Sequence, residues 1–154
     1  MIRRLVRSAD FERVLRTRTQ VNTAHFAVHH VGGGPSVPAV SRTTGLEPKL
    51  STGRTFAAQP PVEDLSPATD IWLGAVVPKR HARRAVTRTL LKRQIRTLVA
   101  GHAAALSRGL WVIRLRAPFD RSAFPSAASD ALKCAARDEL EQLLVAAAHR
   151  AGRN

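Results

Sequence analysis

The chain has 154 residues, enough for one domain with its own core, and 44% of them are hydrophobic, which excludes a wholly disordered polymer. Its formal net charge of +14 points to an anionic partner. No apolar run reaches the roughly eighteen residues of a membrane-spanning helix, and the only cysteine, Cys134, leaves no intramolecular disulfide to form.

In chain order, the N-terminal Met-Ile-Arg-Arg-Leu-Val-Arg carries charge but lacks the apolar stretch of a secretory signal, so a cytoplasmic protein is expected. The pattern then predicts a short helix over 8–17. Ser8 is its expected N-cap, Asp10 suits the positive helix start, and Phe11, Val14 and Leu15 share one face. Residues 24–31 read as a strand, with Phe26 and Val28 on one side and His25, Ala27 and His29 on the other. From 32 to 69 the pattern breaks. Three glycines open the stretch and Pro35, Pro38, Pro48, Pro60, Pro61 and Pro67 recur among Ser and Thr. Such a composition buries too little apolar surface to offset its ordering entropy, so a disordered insertion is expected within a single domain spanning 1–154.

Residues 71–77 form a nearly continuous apolar run, suited to a central strand that Pro78 ends. A helix is expected from Ala82 to Ala105 and a third strand over 109–116. A last helix is expected from Pro125 or Ser126 to His149, with a core stripe of Leu132, Ala136, Leu140, Leu143, Leu144 and Ala147. The order is α-β-(insertion)-β-α-β-α, an α/β chain containing a strand–helix–strand unit that is usually parallel.

The charge is concentrated. Between Asp70 and Asp120 there is no acidic residue, yet eleven Lys and Arg occur there, eight of them from Lys79 to Arg96. On a helix, Arg84, Arg88, Lys92 and Arg96 line one stripe bordered by Arg93, while Val86, Leu90, Leu91, Ile95 and Leu98 gather on the other side. An ordinary solvated face mixes both signs, and here no Glu or Asp is available to pair. Nucleic acid is therefore the expected partner. Because the apolar residues read as core-facing, no membrane partner is expected. Lys79, Arg80, Arg83 and Arg84 flank the helix start, where free backbone N–H groups add a second anion site.

Protein-borne catalysis finds little support. Asp138, Glu139 and Glu141 read as a solvated face, His29 and His30 point to opposite sides of a strand, and the three glycines lack the Lys-Ser/Thr of a phosphate loop. His81 is expected in a loop. Cys134, Trp72 and Trp111 are expected in the core.

The run from Leu73 to Arg80, continued through Arg83-Arg84-Ala85-Val86-Thr87-Arg88-Thr89-Leu90-Leu91-Lys92-Arg93-Gln94-Ile95-Arg96, resembles the protein subunit of bacterial ribonuclease P. Trp111-Val112-Ile113-Arg114 is similar to that family's next strand, and Ser8 to Leu15 to its opening helix. Where the family's motif has Asn and a second Arg, this chain has Thr89 and Leu90. The resemblance implies a two-layer α/β sandwich with a left-handed β-α-β crossover, and a catalyst that is RNA. It implies that Lys79, Arg80, Arg83, Arg84, Arg88, Lys92, Arg93 and Arg96 meet RNA, and that Phe11, Leu15, His29 and Thr89 line a cleft for the 5′ leader. Its implied partners are the ribonuclease P catalytic RNA, bound by a protein monomer in a 1:1 complex, and precursor tRNA. It implies no cofactor on the protein alone and Mg2+ required by the RNA holoenzyme. A general basic RNA chaperone of ribosomal type stays open as the alternative.

Overall fold

Period-two alternation decides which side of the sheet each helix covers. The structure, a computed structural model, describes residues 2–36 and 70–153. The first half holds β1 (Ile2–Arg4), α1 (Ser8–Leu15), β2 (Val21–Asn22) and β3 (Phe26–Val31). The second holds β4 (Ile71–Val76), α2 (Ala85–His102), β5 (Gly109–Leu115) and α3 (Asp130–Ala151). The five strands make one mixed sheet in the order β1-β4-β5-β3-β2. β1 and β5 both run parallel to β4, and β3 runs antiparallel to β5 and β2.

One face carries Phe26, Val28, Leu73, Trp111, Ile113 and Leu115, which join Leu91, Ile95, Leu98 and Val99 of α2 and the α3 stripe in the main core. All six residues expected for that stripe are buried. The other face carries Leu110 and Val112, which pack with Leu5 and with Val14 of α1. The molecule is thus a sheet with two long helices on one side and one short helix on the other. That is the α/β sandwich the resemblance implied.

Two strands escaped the sequence reading, because β1 has three residues and β2 only two, too few to show alternation. Backbone pairing defines them: Ile2 aligns with Ile71, and Val21 with Val28. Arg7, not Ser8, is the cap position of α1, and it makes no side-chain cap bond. α3 starts at Asp130, later than expected, where the Ser129 hydroxyl accepts the N–H of Leu132 at 3.2 Å. α2 begins at Ala85, because the chain from Pro78 to Arg84 first makes a turn closed by the Pro78 carbonyl with the N–H groups of His81 and Ala82. The insertion expected over 32–69 lies, from residue 37 onward, outside the described residues. Both of its flanks are fastened. Asp10, 1% exposed, accepts the Ser36 N–H at 2.8 Å, and Asp70 pairs with Arg3 at 2.7 Å.

Candidate nucleic-acid interface

α2 has one face in the core and one in solvent. Its buried side chains are Leu91, Ile95, Leu98 and Val99. Four such aliphatic groups contribute about 1.5–3 kcal/mol each. Like charges spaced i, i+4 oppose this by only a few tenths of a kcal/mol per pair. The core therefore holds a cationic helix that would be marginal alone. Arg84, Arg93 and Arg96 are exposed and Lys92 is half-buried. Lys92, Arg93 and Arg96 line a shallow depression with Thr89 and Thr97. Among the described residues no carboxylate pairs with any cation of α2. Lys79, Arg80 and Arg83 are exposed on the turn before the helix, whose first turn holds no acid and has no side-chain cap.

Two positions differ from the wheel. Val86, expected in the core, is 57% exposed, because the helix has only just begun there and its first turn stands clear of the sheet. Arg88 turns back on its own approach, its Nη1 donating to the carbonyls of Ala82 at 3.0 Å and Arg83 at 2.8 Å. Its charge stays on the basic surface, but its guanidinium is also a structural clasp.

The opposite face of the sheet carries a second apolar cluster beneath α1. Phe11 and Leu15 are half-buried and pack there with Trp72, Val76 and Val31. Gly74 admits the Phe11 ring, since a Cβ at that position would overlap the ring carbons. His29 shares this face but is only 3% exposed. The Thr17 carbonyl, 3.1 Å away, can only accept, so His29 Nδ1 carries the proton and Nε2 is a buried acceptor without a partner in the fold. Burial lowers the His29 pKa. The Thr17 bond opposes that shift, and Arg114 adds to it. Arg114, on the same strand face, also has a buried Nε without a hydrogen bond. Sequence reading had not placed it on this face, although alternation along 109–116 does so. Thr89 does not join Phe11, Leu15 and His29. It stands on α2, which packs against the other side of the sheet.

Residues expected to be inert turn out to join elements. Glu139, read as solvated, accepts from the Thr23 hydroxyl at 2.5 Å and the His25 N–H at 2.6 Å, and pairs with the His25 ring at 2.7 Å. Burial pushes its carboxyl up, but the Thr23 and His25 bonds together with the His25 charge pull it below its ordinary value. His25 precedes β3 and turns toward α3, so it does not share the His29 face as expected. Cys134 is exposed rather than core. Trp111 is buried as expected, whereas Trp72 is half-buried with Arg3 5.4 Å from its ring centre. His81 lies in the turn before α2, where its ring accepts from Arg80. Among the described residues no three His, Cys, Asp or Glu are grouped to hold a metal.

The family described as Ribonuclease P matches residues 2–139. The chain belongs to the ribonuclease P protein family. The ribonuclease P protein component of Burkholderia pseudomallei (strain 1106a) is 33% identical over 150 residues, covering 97% of this chain and 85% of that relative. The ribonuclease P protein component of Paraburkholderia xenovorans (strain LB400) is 32% identical over 155 residues, covering 97% and 84%. The solved structure of the Staphylococcus aureus RNase P protein matches with a TM-score of 0.53 at 18% identity, covering 92% of each chain, and shares the fold.

Against the ribonuclease P motif, the two departures lie in different environments. Leu90, in place of an Arg, is half-buried against the main core, so that cation is exchanged for apolar contact. Thr89, in place of the Asn, is exposed beside Lys92 and Arg93 and still offers a hydroxyl.

Proposed function

We propose that this chain is the protein subunit of a ribonuclease P ribonucleoprotein. It binds the catalytic RNA along α2 and the 5′ leader of precursor tRNA beneath α1, and so assists removal of the leader. The observation that carries this reading is the solvent face of α2, a row of cations that the core holds rigid and that has no acidic partner among the described residues. In this role Lys79, Arg80, Arg83, Arg84, Arg88, Lys92, Arg93 and Arg96 neutralise RNA phosphates. Phe11, Leu15 and His29 shape the leader cleft, Arg114 supplies its positive charge, and Thr89 contacts RNA from the α2 face. The cleft holds Leu15 and His29 at positions that are often aromatic in the family, so stacking is reduced and charge carries more of the leader affinity. The protein acts as one copy per RNA, in the cytoplasm. Hydrolysis belongs to the RNA, which supplies the Mg2+ sites.

The test is 5′ processing of a precursor tRNA by a bacterial ribonuclease P RNA at low Mg2+, with and without the protein. Strong rescue of cleavage, absent with protein alone, is expected. General RNA binding without rescue would favour an RNA chaperone instead, and cleavage by RNA-free protein would make the chain itself the nuclease.

A further inference from the structure

A cavity of about 490 Å3 opens where the α2 start meets the segment joining β5 to α3. Its lining includes Arg80, Arg83, Arg84, Arg121, Phe119 and Phe124. The connecting segment is latched rather than loose. The Thr87 hydroxyl donates to the Ala127 carbonyl at 2.7 Å, and Arg84 Nη1 reaches the Pro125 carbonyl at 3.4 Å. Asp120, the one carboxylate among the described residues of the lining, accepts the Ser122 N–H at 2.9 Å. Four guanidinium groups against one engaged carboxylate leave the cavity strongly positive.

The aromatic floor is equally built. Phe119 stacks on His25 with ring centres 4.1 Å apart and planes 10° from parallel, and meets Phe26 and Phe124 edge-on. The His25 end is anchored to α3 through Glu139. A chain of rings therefore runs from the core outward and ends at Phe124, which is half-buried on the cavity wall. Cations beside a fixed aromatic face are what an unpaired nucleotide requires: the ring meets the base, the guanidinium groups meet the phosphates. A duplex conceals its base faces and cannot use the ring.

We infer that this cavity holds an unpaired nucleotide of the catalytic RNA, its base against Phe124 and its flanking phosphates on Arg121, Arg83 and Arg80. The inference rests on the subunit reading above and extends it. Arg84 belongs both to the cavity and to the α2 stripe, so RNA lying on α2 runs directly into it. Phe119 packs with the main core, on the face of the sheet opposite α1, so the leader in the α1 cleft is not the occupant.

The experiment compares Phe124→Leu and Arg121→Ala with the parent protein on a bacterial ribonuclease P RNA, by affinity and by 2′-hydroxyl reactivity along the RNA. Phe124→Leu keeps the apolar volume and loses the stacking face. Affinity should fall about 5- to 150-fold, the range of one base–aromatic stack, and protection of a single unpaired position should vanish. Arg121 is exposed, so its removal spares the fold. It should uncover the same position and flatten the salt slope by about 0.7–0.9. Unchanged affinity and protection in both variants, or lost protection confined to paired RNA, would overturn the inference. If the parent protein gives no rescue of cleavage, the subunit reading fails. If it rescues and both variants bind as it does, only the cavity assignment fails.

Discussion

Single residues in the α1 cleft set local constraints that can be measured. Gly74 lies under the Phe11 ring, with no room for a methyl group. Gly74→Ala should force the ring outward and cost about 1–3 kcal/mol in urea unfolding, the usual range for overpacking. In a Phe11→Leu background the cost should shrink by more than about 0.5 kcal/mol, since the obstacle is gone. Equal costs in both backgrounds would remove Phe11 as the reason for the glycine. His29 and His30 make a second test. Burial lowers both pKa values, against a carbonyl bond to Thr17 in one case and to Arg108 in the other. A base with a lowered folded pKa takes up a proton more readily when unfolded, so its contribution is full above the unfolded value and is lost as pH falls through the folded one. Melting temperature should therefore hold steady above about pH 6.5 and drop as the pH is lowered from there. Glu139, also held low, should add a further loss as the pH falls from the ordinary carboxylate value through its lowered one. His29→Asn keeps a donor for the Thr17 carbonyl and should flatten the upper part of this acid limb. A parent profile flat from pH 7.5 to 5 would contradict the argument.

At the level of the element, α2 separates two kinds of cation that its sequence makes look alike. Among the described residues, Lys92, Arg93 and Arg96 make no contact with a carboxylate; Arg93 and Arg96 are exposed and Lys92 is half-buried beside them, so all three can meet phosphates. Replacing all three with Ala should flatten the salt dependence of RNA affinity by about 2–3 log units, at 0.7–0.9 per contact. Fold stability should hold or rise by a few tenths of a kcal/mol as like charges leave the stripe. Arg88→Ala should behave differently, losing about 1–3 kcal/mol of stability because two carbonyls of the turn before α2 lose a charged donor. If thermal melts show the triple variant destabilised and Arg88→Ala neutral, the division is wrong. The position of the cations was legible in the sequence, because the 3.6-residue period and the absent acids are both local properties. The clasp made by Arg88 was not, since it depends on the path of the chain from Pro78 to Arg84. Helix starts were misplaced for the same reason: α3 begins only where Ser129 can cap it.

Across the whole molecule, the sheet was legible where a strand ran for six residues or more, through alternation in β3 and a nearly continuous apolar run in β4, and lost where pairing alone defines a strand. β1 and β2 are edges, recognised only through Ile2 beside Ile71 and Val21 beside Val28. The same long-range logic hid Glu139 and Asp10, whose partners lie 116, 114 and 26 positions away. Asp10 also bears on the insertion. Its carboxylate holds Ser36 and the Arg3–Asp70 pair holds the start of β4, so each flank is secured by the core scaffold itself. The Gly109 N–H adds a bond to the Asp70 carbonyl at 3.3 Å. Replacing 37–69 with a Gly/Ser linker of about a dozen residues should therefore preserve the fold, because loop-closure entropy changes by only about 0.6 kcal/mol per doubling of length. Unfolding free energy within about 1 kcal/mol of the parent and undiminished rescue of RNA cleavage at low Mg2+ are expected. Ser36→Pro in the same background should cost more, since proline lacks the N–H that the buried Asp10 carboxylate accepts, at about 1–3 kcal/mol for an unsatisfied group. If the linker replacement alone unfolds the protein, the flanks are not sufficient anchors; if it folds but fails to rescue cleavage, residues 37–69 take part in the RNA-bound state.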